Sequence, residues 1–570
     1  MKNLIPMWVL LFIAAVYHKG IRSKAMSYDY SAGAECLAVP QKAQYSGGLI
    51  LNPHFDDGLK GWTTFSGGEM EERISDGGNK FAVTHSRNQP YHSLSHKLYL
   101  EKGKFYTFSA WLQVNEGNVP ITAIFKTASS FTHVGSVLAK SGCWSMLKGG
   151  LTVDSSGPAE LYFETENATL EVWVDSVSLQ PFTEKQWRTH QAESIEKVRK
   201  RRVAFTVVDD QGNRRPGAAV TIKQMRSRFP LGSAIPQQIL TSRAYQSWFT
   251  SRFTVTTFEN EMKWYSTEKS QGQVDYSVPD AMLAFAKKHG ITVRGHNIFW
   301  EDPQYLQPWV RSLSANQLQA AVLKRINSVM SRYRGQVIGW DVVNENLHFA
   351  FFESNLGRSA SAVLYQKAQQ LDSSTPLFLN DYNTIEDASD SQSTPSKYLQ
   401  KLREMRNGRA MAIGLEGHFH TPNIPYMRSS LDVLARANLP IWLTEVDVSP
   451  SANQAHYLEQ VLREAYAHPA VEGIIIWAAR RPEGCYRMCL TDNEFRNLPT
   501  GDVVDKLIRE WKTHQVVGTT DDNGIFEAQL FHGDYDVMIS YPSLNSSMAQ
   551  NLKVAAGSSP EETLHVELYA

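Results

Sequence analysis

Short runs in which apolar and polar residues alternate fill the chain from Gly47 to Phe182. Examples are Phe105-Tyr-Thr-Phe-Ser-Ala-Trp111, Ala159-Glu-Leu-Tyr-Phe-Glu164 and Leu170-Glu-Val-Trp-Val-Asp175. Runs of period two separated by turn residues predict a β-sandwich. The pattern then changes. Thr183 and Gln186 have the spacing of a capping box, so a helical connector should start there and end in the basic run 197–202. Beyond it, strand-like and helix-like stretches alternate. The apolar runs are 229–235, 253–258, 292–296, 337–343, 376–380, 412–416, 440–444 and 473–477. Between two of them, Leu318, Val322, Ile326, Val329 and Tyr333 recur at helical spacing behind a Ser314/Gln317 capping box. Another helical stretch, 280–289, stops at Gly290, a residue suited to a C-terminal cap. Alternating units of this number over about 250 residues predict a closed β/α barrel. An open doubly wound sheet is the alternative, but no Gly-rich phosphate loop follows the first strand.

The flanks of the barrel alternate with period two as well. Val203–Val208 and Ala218–Ile222 precede it; Tyr535, Val537 and Ile539, then Leu564, Val566 and Leu568, follow it. Neither piece is large enough to bury a core alone. Both are therefore expected to form one small β-sandwich with the barrel inserted, since a barrel's termini lie close together. The expected division is a leader over 1–25, a sandwich over 47–182, a connector over 183–202, the first sandwich piece over 203–224, the barrel over 225–511 and the second piece over 515–570.

Composition narrows the picture. A chain of 570 residues exceeds one core. A net charge of -1 offers no basic surface for nucleic acid, and the basic run 197–202 reads as a solvated linker face. Lys2 followed by an apolar run over 4–16 reads as a signal peptide, too short to span a bilayer. Export is therefore expected, into the extracellular space, with no membrane attachment once the leader is removed. Four cysteines allow three pairings in an oxidising compartment; local spacing favours Cys485 with Cys489, leaving Cys36 with Cys143. Sequons at Asn167 and Asn545 agree with that route. No metal site, no cofactor and a monomeric state are expected.

In a barrel of this kind the chemistry sits where strands end. Those ends carry Glu259, Asn260, Lys263, His296, Trp300, Asn344, Glu345, Glu416, His418, Glu445, Asp447 and Trp477. Glu345 and Glu445 end the fourth and seventh runs. Two carboxyls facing each other across a barrel mouth are what glycosidic cleavage needs: one protonates the leaving oxygen, the other attacks the anomeric carbon. Glu345 would need a raised pKa, which a nearby anionic Glu445 would supply.

The motifs Glu259-Asn-Glu-Met-Lys-Trp264, Arg294-Gly-His-Asn-Ile-Phe-Trp300, Trp340-Asp-Val-Val-Asn-Glu345, Gly414-Leu-Glu-Gly-His418 and Leu443-Thr-Glu-Val-Asp447 resemble glycoside hydrolase family 10, the endo-1,4-β-xylanases, in its plant form. The resemblance spans about 229 to 511. It implies hydrolysis of xylan or a related wall polysaccharide with retention. It also implies that Glu345 is the general acid/base and Glu445 the nucleophile. Asn344 would hold the sugar 2-hydroxyl, and His418, oriented by Asp447, would hydrogen-bond Glu445. Glu259, Asn260, Lys263, His296, Trp300 and Trp477 resemble the family's sugar contacts.

Two departures stand out. Glu416 sits where microbial members usually carry glutamine, and either alters the pH optimum or is held neutral. The loop after Trp477 lacks a second tryptophan; Tyr486 substitutes for it, or that sugar site is more open. His348 and His420 have no motif support and read as structural. The N-terminal sandwich resembles carbohydrate-binding module family 22 through Asn52-Pro-His-Phe-Asp-Asp-Gly-Leu-Lys-Gly-Trp62 and Val174-Asp-Ser-Val-Ser-Leu179. In that family's pattern Tyr162 and Glu164 match glycan contacts, and Tyr91 is an aromatic platform or simply an exposed ring. The competing readings are a weakly active wall-binding protein and a retaining hydrolase of another β-glycan.

Overall fold

The computed structural model describes residues 26–33, 36–406, 411–540, 547–559 and 561–569. The leader and the sequon at Asn545 lie outside the described residues. Among the described residues no helix is long and apolar enough to cross a membrane.

The N-terminal sandwich consists of two five-stranded sheets. Their inward faces bury Phe55, Phe108, Leu112, Phe125 and Phe163. Full burial of a side chain of this size stabilises by about 1.5–3 kcal/mol. Cys36 and Cys143 are bonded across a sequence separation of 107, and Cys485 to Cys489 across a separation of 4. By the chain-entropy argument the long closure contributes roughly 5 kcal/mol and the short one roughly 2.

The connector is the helix Glu184–Val198, and both halves of the Thr183/Gln186 capping box are formed. The basic run after it is not a uniformly solvated face. Arg199 is half-buried and donates to the carbonyls of Tyr466, His468 and Val471, while its guanidinium covers the Phe229 and Tyr466 rings. Arg201 and Arg202 pair with Glu562 and Glu527. Sequence could not separate these cases, because the carbonyl and carboxylate partners lie 267 to 361 positions away.

The barrel strands are β1 Leu231–Ile235, β2 Val255–Phe258, β3 Thr292–Arg294, β4 Trp340–Asp341, β5 Leu377–Asp381, β6 Met411–Leu415, β7 Ile441–Val448 and β8 Val471–Ile476. They run parallel in the order β3-β2-β1-β8-β7-β6-β5-β4. A parallel bridge between Gly295 and Trp340 closes the ring. Only glycine fits at that bridge: an added Cβ would meet the Trp340 ring at 2.4 Å. The structure trims the apolar runs read from sequence by one to three residues at most ends, because residues beyond the ladder enter loops.

Outside the barrel, the strand Lys200–Val208 pairs antiparallel with Ile525–Phe531 and parallel with Leu564–Tyr569. The strand Ala219–Ser227 pairs with Val516–Thr519 and Gly533–Ser540. Val203, Phe205, Val220, Ile222, Tyr535, Val537 and Ile539 share one apolar core. Segments from both sides of the barrel thus complete one small sandwich.

Candidate active site

The polar residues named above gather at the C-terminal ends of the barrel strands, around a cleft of about 780 Å³. Glu259, Asn260, Lys263, Trp300, Glu345, Glu416, His418, Glu445 and Trp477 line it. His296, Asn344 and Asp447 stand behind that lining, buried.

Glu345 follows β4 with φ 58, a left-handed conformation that side chains other than glycine adopt rarely. Its amide donates to the Asn380 carbonyl at 2.9 Å, which anchors this turn to β5. Its carboxyl accepts from Asn344 Nδ2 at 3.2 Å. Burial is the main cause that pushes Glu345 up to about 8. The negative charges of Asp381 and then Glu445 add to it, while contacts with Trp300 and Lys263 oppose it. The sequence pointed to Glu445 as the cause of this shift. In the folded protein Glu445 ranks behind burial and behind Asp381, a residue the strand-end reading missed.

Asp381 ends β5 and is fully buried. It accepts from the amides of Leu347 and Tyr382 and lies 2.5 Å from His348 Nδ1. His348 Nε2 reaches Asp390 at 2.9 Å, and its ring stacks on Tyr382. Burial works against the charged imidazole, but the two aspartates outweigh it and raise His348 to about 9. His348 is therefore a cation bracing the wall behind Glu345.

Glu445 sits on β7 amid donors. Asn380 Nδ2 lies 3.3 Å from its Oε1, and also bonds Asn344 Oδ1 at 2.9 Å and Glu416 Oε1 at 3.1 Å. His296 Nε2 is 3.7 Å from Glu445 Oε1, and its Nδ1 is held by Asp341 at 2.7 Å. His418 Nε2 stands 3.8 Å from Glu445 Oε2 and 3.3 Å from Glu416 Oε2, with Nδ1 3.0 Å from Asp447. Burial alone would lower His418; Asp447 and Glu416 outweigh it and hold its pKa well above the usual range. Glu416 moves far above the usual carboxylate range, first through burial and then through the charges of Glu445 and Glu345. Of the two readings of this residue, the neutral one fits. Glu416, His418 and Glu445 bring three ligand atoms within 4.8 Å of one another, and the same groups also serve Asn380 and Asp447.

Flat and charged surfaces complete the cleft. Trp300 stacks on Tyr305 with ring centroids 3.9 Å apart, and Lys263 Nζ lies 4.3 Å from the Trp300 ring. Trp477 meets His296 edge-on. Burial lowers the Lys263 pKa, opposed by four surrounding carboxyls. Asn260 accepts from Lys263 and Tyr265, and Glu259 pairs with Arg481 at 2.6 Å. Asn380 and Asp381 could have been found, since they end a strand as the other site residues do. Arg481 could not, because it lies in an aperiodic loop.

In the N-terminal sandwich, Tyr162 is buried and stacked on Phe65 at 3.9 Å, and its hydroxyl donates to Glu164 at 2.8 Å. It is not an open platform. Tyr91 is exposed and meets Phe65 edge-on.

A β/α barrel that sets a protonated carboxyl and a hydrogen-bonded carboxylate among flat aromatic faces defines a glycoside hydrolase. The chain belongs to glycosyl hydrolase family 10. Residues 221–484 match that family and residues 47–170 match a carbohydrate binding domain. Endo-1,4-beta-xylanase 5 of Arabidopsis thaliana is 38% identical over 99% of this chain and 98% of its own length. Endo-1,4-beta-xylanase 5-like of the same plant is 39% identical over 97% of this chain and 96% of its own. The solved CBM22-1–GH10 modules of a Clostridium thermocellum endo-1,4-beta-D-xylanase cover 79% of this chain and 95% of their own at 14% identity, with a TM-score of 0.43.

Proposed function

We propose that this protein is a secreted endo-1,4-β-xylanase that cleaves internal bonds of cell-wall xylan with retention, using Glu345 as acid/base and Glu445 as nucleophile. The observation that carries the reading is that Glu345 and Glu445 line one cleft in different surroundings. Burial and neighbouring carboxyls push the Glu345 pKa up to about 8, which favours the protonated form needed to donate to the leaving oxygen. Glu445 is surrounded by Asn380, His296 and His418, which hold its oxygens toward the cleft. Attack by Glu445 forms a glycosyl-enzyme. Glu345, having given up its proton, then draws one from water, which attacks the same carbon. Loss of the Glu445 charge in the intermediate lowers the Glu345 pKa, but only in part, because Asp381 stays beside it.

Asn344 donates toward Glu345; the family resemblance implies its role toward a sugar 2-hydroxyl. Trp300, Trp477, Lys263, Asn260 and Glu259 form the ring-binding wall. The names of the relatives support xylan as substrate, and the two disulfides support an oxidising, extracellular setting. Tyr91 on the N-terminal sandwich is proposed as a glycan platform, with Glu164 and the buried Tyr162 shaping its surroundings.

The test is hydrolysis of xylan, cellulose and mixed-linkage glucan by the wild type, Glu345→Gln and Glu445→Gln. Activity on xylan that both substitutions abolish is expected. No hydrolysis of any glycan, with binding retained, would overturn the enzyme reading. Inverted product would overturn the assigned carboxyl roles.

A further inference from the structure

The loop after β8 carries a disulfide that the catalytic reading does not use. Cys485 and Cys489 are bonded with their Cα atoms 5.4 Å apart. The three residues between them point in different directions. Tyr486 is 66% exposed over the cleft, Met488 is 1% exposed in the barrel core, and Arg487 borders the cleft with its guanidinium turned toward β7. Arg487 Nη1 lies 3.1 Å from Asp447 Oδ1. Its Nη2 donates to the Phe419 carbonyl at 3.0 Å and to Ser449 Oγ. The other oxygen of the same aspartate, Oδ2, is the one held at 3.0 Å from His418 Nδ1.

We propose that Arg487, presented by the Cys485–Cys489 loop, is a positioning residue for the glycosidase reaction, acting through Asp447 and His418 on Glu445. This rests on the reading of Glu445 as nucleophile. The physical case is a shared carboxylate. Asp447 is fully buried and stands at ion-pair distance from two basic side chains, one at each oxygen, with neither contact aligned as a hydrogen bond. The guanidinium charge attracts one oxygen and so biases where the other meets the imidazole. It also takes up part of the negative charge that His418 would otherwise feel alone. Without Arg487, Asp447 would hold the imidazolium more tightly and in a less fixed orientation.

The groups facing His418 come from several elements. Glu416 leaves β6, Glu445 and Asp447 lie on β7, and Glu386 accepts the His418 amide at 3.0 Å. Tyr486 meets the ring edge-on. Arg487 supplies the cation nearest to Asp447 from the loop side. The disulfide spans too few residues to restrain the unfolded chain much; its effect is local, pinning the ends of the turn that aims Arg487. Thr500 Oγ1 bonds the Cys489 carbonyl at 2.6 Å and anchors the far end.

The test uses the full secreted chain and four variants: Arg487→Met, Arg487→Lys, the pair Cys485→Ser/Cys489→Ser, and that pair combined with Arg487→Met. Arg487→Met should lower kcat by about tenfold while KM stays within about twofold, because its guanidinium is engaged by Asp447, Ser449 and the Phe419 carbonyl although the residue borders the cleft. Arg487→Lys should recover part of the loss. The cysteine pair should lose kcat in the same direction, and adding Arg487→Met to it should cost little more, since both act on one contact. NMR titration of the His418 ring should show its proton held to higher pH in Arg487→Met. A titration unmoved by Arg487→Met, or full additivity of the two changes, would overturn the proposal. A moved titration and a lowered kcat in a protein that cleaves another β-glycan but not xylan would overturn the xylanase reading and leave this one standing.

Discussion

Among the described residues, two clusters of buried charge contrast, one in the catalytic cleft and one where the N-terminal sandwich meets the barrel. In the second, every charge is matched. Lys148 of the sandwich bonds Asp432 of the helix Ile424–Ala435 at 2.6 Å, and Tyr28 and His468 complete that aspartate at 2.7 and 3.0 Å. Beside it Glu464 receives Arg428, Trp187 and Gln191, and Arg428 lies flat on the Trp187 ring. Even the backbones touch: a Cβ on Gly150 would meet Pro425 at 2.5 Å. The cleft is the opposite case. Glu345, Glu416 and Glu445 outnumber the cations near them, and the balance is restored by protons on Glu345 and Glu416. Matched charges hold two domains in one place; unmatched ones leave protons to move.

That contrast can be broken most sharply at Glu445. Glu445→Gln should cut turnover on the order of 10⁴-fold or more, and urea unfolding should show no loss of stability, because a buried like charge has gone. At the interface the outcome should reverse. Asp432→Ala leaves Lys148 buried without its partner and should destabilise by about 3–5 kcal/mol, read by chemical denaturation. Turnover of a short soluble xylo-oligosaccharide by the folded fraction should be unchanged. Replacing both partners, as Lys148→Met with Asp432→Leu, should recover much of that loss.

The pH dependence sharpens the same point. Glu345 has its folded pKa raised from 4.5 to about 8, so the folded state keeps a proton that the unfolded chain releases. Its contribution is fully present below 4.5 and is lost as pH rises to about 8, at about 1.4 kcal/mol per pH unit. Unfolding free energy measured across that window should fall, and Glu345→Gln should remove this part of the slope. The smallest effect on turnover is expected at Glu416, where Glu416→Gln exchanges one neutral group for another in the folded state. Its unfolded carboxyl releases a proton from 4.5 upward, so the substitution should also remove slope from that pH on, as Glu345→Gln does.

Much of this was legible along the chain. Period two gave the sandwich strands, the capping boxes at Thr183 and Ser314 gave helix starts, and the strand ends gave most of the cleft. Asp381 was legible and overlooked: it ends β5 one residue past Asn380, but no motif called it out. Lys148, Arg428, Arg481 and Arg487 were not legible. Lys148 lies within a strand that reads as ordinary sandwich, and its partner stands 284 positions away. Tyr162 matches a glycan-contacting position of the family it resembles, and only the fold shows Phe65 stacked on its ring.

By itself, then, the sequence determined which side chains stand at the mouth of the barrel, because strand register and strand end are local properties of hydrophobic period. Only the tertiary structure decided which of them carry protons. A carboxyl's proton affinity depends on burial and on charges brought close by folding, and here those charges come from β5 and β7, which no periodicity connects.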